Sequence, residues 1–550
     1  MNRRAFIEGA LAGMTGSAVQ RWTQVAEDEG FQQVPNIEAL RALRKKTGVV
    51  FVEGYYGERD GGGGIFLWDP DATRHNRGDA IAPAQDGAVQ AEPDHAPGRW
   101  IRWQHTNTYD IRLYGAHPQQ EDNSEAIQAC IDAASKAGGC AYVSAGVYRI
   151  ARPLVVQPYM TLRGEGMQSA IRKTSNVKGP SLQRSVPNRD VQDDYDVDCV
   201  IAVDRPNTDL KFSPDVHIAD LRIQGKGHPD WSLEERNAFG VYAPRLMRAR
   251  IENVSVVGVD VGFHFSEIIV SRLSGCRASQ GRIGFHVPDL QTGGGTSLSL
   301  INCYAAQMEE WGYRLRGLSY SVLIGCACDN VNISQSAGGY FLGVCHGISL
   351  VGCGCEATPA PMLRIQHTEL VASGVKAHAI RGSEASGASA SQAYVMTRNA
   401  TVQFTGCRFP PLQRPGNTRN EIHEEGSLIT YTSSERPSGG RGAHVGEEAA
   451  VFCIGSPEND AEEDSTNVRL TPNGISVQGE AVVGRRVAAI GAVEDNTNGA
   501  AARTVQRIRS ADALEAINDN FATLTAQMER IRRVLGEGGH GLTEDSNPQN

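Results

Sequence analysis

The sequence predicts an all-β solenoid, a parallel β-helix, and three observations carry that prediction. Four strand-like runs each end in a cysteine: SRLSGC at Cys276, SLSLINC at Cys303, SVLIGC at Cys326 and GISLVGC at Cys353. The steps between them are 27, 23 and 27 residues. Self-similarity at a period of about 20 to 50 residues marks a solenoid whose repeats stack on one another. Inside each run apolar and polar residues alternate with the strand period of two, not the helical 3.6. The stretch from Gly312 to Asn330 also overlays that from Gly339 to Ala357 without a gap.

Neighbouring coils follow the same pattern. VHIADLRIQG near Val216 and ARIENVSVVGV near Ile251 precede the four runs, with Asn253 placed 23 residues before Cys276, and TVQFTGC closes at Cys407. Small residues recur at this corner because stacked turns leave little room, and Asn can hydrogen-bond along the stack. The cysteines are therefore expected to be reduced, buried ladder residues, since free Cys behaves as a small hydrophobe. Cys326-x-Cys328 and Cys353-x-Cys355 have the look of metal pairs, but strand alternation explains their spacing without a metal, and no metal site is assigned.

Composition excludes some classes. The chain has 550 residues with 61 Gly and 6% aromatics, which suits many tight corners better than one large globular core. A net charge of −10 and the lack of a basic stripe argue against a nucleic-acid partner. Eight of the 53 basic residues are Lys and the rest Arg. Bidentate capture of carboxylates on an acidic glycan is one reading of that excess; the codon usage of a GC-rich genome is the other.

Taken in order, residues 1–33 form a tail or anchor. Arg3-Arg4 followed by Phe6 and Ile7 is similar to a twin-arginine export signal, although Asn2 and Glu8 depart from it. No membrane span is expected. Residues 34–105 make a small α+β domain, in which Asn36 caps a short helix carrying Leu40 and Leu43. Two strands there flank the run Gly61 to Gly64, which reads as a hairpin loop because no Lys-Ser/Thr and no helix follow it.

Next come an amphipathic helix over 122–137 and the strands YVSAGVYRI and MTLRGEG. Asp122 and Glu125 suggest a capping box. Ile127, Cys130, Ile131 and Ala134 share the apolar face, and Gly138 ends the helix. Such a helix plugs the open end of the solenoid. The small domain followed by this plug and its first coils resembles the arrangement in phage tailspikes and capsule depolymerases of the pectate-lyase-like superfamily. That resemblance covers the β-helix over residues 106–410. It implies a right-handed coil, a homotrimer, a place in the virion at the phage tail, a bacterial surface polysaccharide as partner, and contacts with other tail or baseplate proteins through the N-terminus.

The polar excursion between Arg172 and Cys199 reads as a long loop. Its Asp193, Asp194, Asp196 and Asp198 could hold calcium, but the EF-hand pattern is absent; no other cofactor is expected. SEASGASASQ over residues 383–392 is a linker. Residues 411–505 form a C-terminal β region with a hairpin marked by Asn473-Gly474. In residues 510–536, Leu514, Ile517, Phe521, Leu524, Met528, Ile531 and Leu535 make a heptad seam with Leu-type a and Ile-rich d positions, which favours trimers or tetramers. Residues 537–550 form a disordered tail.

The candidate chemistry comes from overlaying the coils. The third residue after the corner cysteine is Ser279, Ala306, Asp329 and Glu356 in successive turns, so two carboxylates stack. Adjacent strands lie about 4.8 Å apart, close to the roughly 5 to 5.5 Å between the carboxyls of retaining glycosidases. Like charges this close favour keeping a proton on one of them, an acid beside a base. Capping of turns by Asp329 and Glu356 is the structural alternative. Glu309 and Glu310 are the next catalytic candidates. Trp311, Arg314 and Tyr340 are candidate substrate-binding residues, with Trp311 offering a ring to stack on a sugar. The polygalacturonase set does not carry over, because NTD (Asn207 to Asp209) and CHG (Cys345 to Gly347) lack the paired Asp-Asp and the Arg-x-Lys. Three functions follow: a polysaccharide-binding and depolymerising tailspike, by glycoside hydrolysis or by elimination; a non-catalytic structural or receptor-binding virion protein; and an exported bacterial polysaccharide lyase or hydrolase.

Overall fold

The computed structural model describes residues 31–490 with breaks, the longer of them at 84–96, 205–211, 227–235, 330–337, 382–392 and 455–466. The export-signal or anchor segment 1–30, the linker 383–392, the heptad seam and the C-terminal tail lie outside the described residues.

The N-terminal domain is a sheet of β1 (Phe31–Val34), β2 (Val49–Val52), β3 (Gly64–Asp69), β4 (Ala80–Ile81) and β5 (Arg99–Arg102), in the order β1-β2-β3-β5-β4. Its first strand begins before the expected boundary at residue 34. Helix α1 (Ile37–Arg41) starts where the Asn36 side chain accepts a bond from the Ala39 N–H at 2.9 Å. The glycine run belongs to the connection between β2 and the antiparallel β3. There the Asp60 carboxylate gathers the N–H groups of Tyr55, Tyr56, Gly57 and Gly62.

Arg102 ties this domain to the coil. Buried beneath the glycine run, its guanidinium donates to the carbonyls of Gly63, Gly62 and Gly78, and to Leu113 at 3.2 Å, in the turn that opens the coil. Four carbonyl contacts offset the cost of burying the charge.

Helix α2 (Ser124–Lys136) buries Ile127, Cys130, Ile131 and Ala134 against the first coils, as its periodicity predicts. Gly138, at φ +59°, follows its end. The expected capping box is not formed. Asp122 instead accepts from the N–H groups of Ser124 and Ala151, each at 2.9 Å. Asn123, the N-cap, spends its side chain on the His117 N–H and the Arg149 carbonyl. Asp122 thus joins the first residue of the helix to the coil, and Asn123 spends its side chain on the coil.

The solenoid itself is one parallel ladder winding through three faces. The first runs through the strands Cys140–Val143, Thr161–Gly164, Arg272–Ser274, Ser299–Ile301, Val322–Ile324 and Ile348–Val351. The second includes the first three residues of Arg277–Val287 and of Tyr304–Arg316, then Ala327–Asp329, Gly354–Glu356 and Lys376–His378. The third includes Val259–Ile269, the remainders of Arg277–Val287 and Tyr304–Arg316, then Gly338–Gly343 and Leu363–Gln366. One continuous apolar core runs from Ile111 to Val451. Parallel pairing continues past the expected limit at residue 410, through Leu428–Thr432 to Ala450–Ile454. The excursion after Arg172 is also not structureless: Leu182–Ser185 and Gln192–Tyr195 form an antiparallel hairpin. In the C-terminal region, Asn467–Thr471 and Gly474–Val483 pair as a hairpin around the Asn473-Gly474 position.

The corner between the first and second faces explains the repeat. Asp220, Asn253, Gly275, Asn302, Gly325, Gly352, Gly374 and Gly406 all take positive φ there, between +51° and +62°. Gly, Asn and Asp recur because a left-handed residue turns each coil, and they tolerate that conformation best. The residue after it points inward: Leu221, Val254, Cys276, Cys303, Cys326, Cys353, Val375 and Cys407. Asn253 thus aligns with Gly275, and Val254 takes the cysteine's place, one residue from the register predicted. Asn253 does hydrogen-bond along the stack, to Asp220 at 2.9 Å.

The ladder cysteines are free and buried. Each thiol donates to a carbonyl one coil earlier: Cys276 to Ile251 at 3.2 Å, Cys326 to Leu300 and Cys353 to Leu323 at 3.3 Å. Thiol hydrogen bonding along the ladder, with burial adding to it, pushes Cys303 and Cys326 up to about 12, so they stay protonated and inert.

Candidate functional site

On the second face, Asp329 and Glu356 are register partners in adjacent coils, as the stacked column predicts. The same column continues from Ser279 and Ala306 to His378. Asp329 is half-buried and Glu356 exposed. The neighbouring column holds Arg277, Tyr304, Ala327, Gly354 and Lys376. Tyr304 reaches across Ala327 to donate its hydroxyl to Asp329 Oδ2 at 3.0 Å, and the Arg277 guanidinium lies 5.2 Å from the Tyr304 ring centroid. Burial, then the Asp329 carboxylate, raises the Tyr304 phenol above its ordinary value, so it keeps its proton and donates. Between Tyr304 and Lys376 this column holds only the small residues Ala327 and Gly354, beside both carboxylates.

The other sequence-predicted residues lie elsewhere. Glu309 and Glu310 follow the corner at Gln307, and both are engaged: Glu309 with Arg236 at 2.7 Å, and Glu310 with Arg282 at 3.0 Å. Arg282 also binds Asp260 through Nε and Nη2. Trp311 is 4% exposed, packed with Val261, Ile283 and Phe341. Its ring lies against Gly338, where a Cβ would come within 2.5 Å of it.

Tyr340, expected to bind substrate, is instead inside the coil and fully buried. It ends an interior stack of Phe263, Phe285, Tyr313 and Tyr340, whose ring centroids are 5.0, 4.9 and 4.8 Å apart. Its hydroxyl bridges the carbonyls of Cys326 at 2.8 Å and Gly354 at 2.9 Å. A ring whose phenol finds backbone partners inside the coil gains more there than at the surface.

Arg314 does face outward, on the third face. Its row runs in register through Tyr242, His264, His286, Arg314, Phe341 and Arg364. His264 stacks on Tyr242 at 5.1 Å, and its Nδ1 lies 3.1 Å from Nδ1 of His286. Burial lowers His264 to about 4; burial, then His264 and the neighbouring arginines, lowers His286 to about 3. Two neutral imidazoles can share that hydrogen bond, one donating and one accepting, whereas two cations cannot.

Sequence reasoning missed Tyr304, Arg277 and His378 beside the carboxylates. The first two could have been found in the column directly after the corner cysteine. Of the acidic residues considered for calcium, Asp193 and Asp194 lie in the hairpin strand, Asp196 lies outside the described residues, and Asp198 takes bonds from buried Lys173 at 2.7 Å and Asn237 at 2.8 Å. Among the described residues, no cluster of three or more His, Cys, Asp or Glu side chains could hold a metal ion. No described helix is long and apolar enough to cross a membrane.

The architecture is that of a parallel β-helix fronted by a small β domain. Residues 33–106 match the family model described as the phage tail protein small four-stranded beta-sheet domain, and residues 109–212 match that of rhamnogalacturonase A/epimerase, pectate lyase-like. Among solved structures, the chain is similar to the gp42 tailspike of Acinetobacter phage vb_AbaP_AS12, at 16% identity and a TM-score of 0.61, over 86% of this chain and 79% of that one. It is also similar to the enzymatically active domain of tailspike protein 2 of bacteriophage CBA120, at 12% identity and a TM-score of 0.52, over 82% of this chain and 60% of that one. At such identities the likeness is one of fold. No curated protein matches the chain in sequence.

Proposed function

We propose that the protein is a tailspike-like protein of a phage virion that binds a bacterial surface polysaccharide along the outer faces of its β-helix and cleaves it at Asp329 and Glu356. The observation that carries this is the junction itself: a segment matching a phage tail domain runs directly into a parallel β-helix whose fold is that of two tailspikes. Asp329, holding the Tyr304 hydrogen bond, acts as the carboxylate of the pair. Glu356, exposed in the next coil, acts as the proton donor to the departing sugar oxygen. The reaction needs no cofactor, and addition of a calcium chelator leaves its rate unchanged.

The heptad seam from Leu514 to Leu535 joins three copies into a homotrimer, and the N-terminal segment meets other tail or baseplate proteins. Incubating the protein with purified capsular polysaccharides tests the function. New reducing ends without ultraviolet-absorbing unsaturated ends identify hydrolysis, and unsaturated ends identify elimination. Tight binding with neither product supports a non-catalytic receptor-binding protein. Neither binding nor cleavage of any capsule from strains that virions carrying this protein infect overturns the proposal.

A further inference from the structure

The third face concentrates positive charge in a chain whose net charge is −10. Three guanidiniums converge on one ring: the Cζ atoms of Arg314, Arg316 and Arg364 lie 5.8, 5.8 and 5.6 Å from the centroid of Phe341. The backbone arranges this. Arg314, Phe341 and Arg364 occupy one register position in three successive coils. Arg316 stands opposite Gly343, where an added Cβ would meet its Nε at 3.0 Å and the Phe341 ring at 3.1 Å. The absence of a side chain at Gly343 lets Arg316 fold over toward the ring.

Glu310 acts on Arg314 from a distance but pairs directly with Arg282, which also binds Asp260. Neither Arg314 nor Arg364 has a carboxylate partner among the described residues, and Arg364 Nε is buried without a hydrogen-bond acceptor. Arg314 is lowered from its ordinary value, first by burial and then by Arg316, Arg282 and Arg364 against the opposing pull of Glu310. Cations held this close repel one another, and an unpaired buried donor costs further free energy. Both penalties disappear when an anion enters the cluster. A guanidinium fork matches a carboxylate with two parallel hydrogen bonds, and the buried Phe341 ring holds the cations together from beneath.

We propose that Arg314, Arg316 and Arg364 around Phe341 form a subsite for an acidic sugar, so that the polysaccharide this protein binds carries carboxylated residues. The subsite rests on the polysaccharide-binding function proposed above and assigns its substrate class.

The test uses the full chain and two kinds of probe. In the first arm, glucuronate, glucose and inorganic phosphate are titrated separately and followed by ligand-observed NMR. Glucuronate is expected to bind saturably in preference to glucose. The double variant Arg314→Gln/Arg364→Gln should weaken glucuronate by roughly tenfold or more, the scale of losing hydrogen bonds to a charged group. Arg364→Lys should recover part of the loss, and Arg44→Gln, exposed in the N-terminal domain, should leave binding unchanged. Equal responses to glucuronate and glucose overturn the subsite, as does a double variant that binds like the wild type. Phosphate bound in place of glucuronate overturns its assignment to a sugar acid.

In the second arm, capsular polysaccharides are compared with their carboxyl-reduced forms. Retention of acidic capsules that is lost on reduction supports the substrate class, and equal retention of both forms overturns it. Glucuronate bound at the arginines by a protein that retains no capsule separates the two proposals: the anion subsite stands and the proposed function falls.

Discussion

Arg314 and Phe341 face each other in adjacent coils, one register step apart on the same outward row, with the guanidinium 5.8 Å from the ring centroid. One coil earlier the same row holds His286, and one coil later Arg364. A parallel ladder multiplies whatever its register aligns: strands about 4.8 Å apart turn residues distant in sequence into neighbours. The second face uses the same device for Asp329 and Glu356.

Replacing Asp329 or Glu356 by its amide preserves shape and removes the proton chemistry. Depolymerase activity should fall by at least ~100-fold, the lower scale for losing an acid–base group, while polysaccharide binding survives. Reducing-end release from the bound capsule measures it. Wild-type rates in both variants would place the chemistry elsewhere.

Tyr304→Phe removes the hydroxyl that bonds Asp329 but leaves the ring beside Arg277. A loss of activity smaller than that of the Asp329 amide, with melting temperature shifted by no more than a few degrees, is expected of a residue that positions a carboxylate. Activity assays paired with thermal melts decide it.

Glu421 should make the fold acid-sensitive. It is buried, and burial by itself would raise its carboxyl, but the Arg436 charge, the neighbouring His423 and the bond from the Tyr431 hydroxyl outweigh this and bring it down to about 2. The folded value lies below the ordinary 4.5, so this contribution is complete above about pH 4.5 and is lost as pH falls toward 2. Glu421→Gln, which removes the buried carboxylate facing Arg436, should cost about 3 kcal/mol at neutral pH. It should also flatten the acid limb of the stability curve, and denaturant titrations across pH 2 to 7 read both.

His264 and His286 should remain neutral well below the usual histidine range. Their folded values, about 4 and about 3, lie below the ordinary 6.5. Their share of stability is therefore present above about pH 6.5 and declines as pH falls toward 4. Imidazole NMR signals that titrate near 6.5 in the folded protein would contradict the buried arrangement.

Deleting residues 510–550 should abolish or weaken the proposed trimer, since the heptad seam lies within them. Multi-angle light scattering of the truncated chain, compared with the full chain, reports the assembly directly.

The sequence by itself determined the solenoid, its ladder of inert cysteines, the plug helix and the pairing of Asp329 with Glu356. Each depends on local signals that repeat: a left-handed corner residue, an inward residue after it, and a strand of alternating character. That legibility ends where no marker residue repeats. His286, Arg314, Phe341 and Arg364 lie 28, 27 and 23 residues apart, steps as uneven as those of the cysteines, but their types change from coil to coil and the register shifts between Gly281 and Ile283, so the row carries no self-similar signal. Only the tertiary structure decided which way Tyr340 and Phe341 point. One residue apart, they face opposite sides of the strand, because successive side chains alternate across the pleat and a one-residue difference in register exchanges interior for surface.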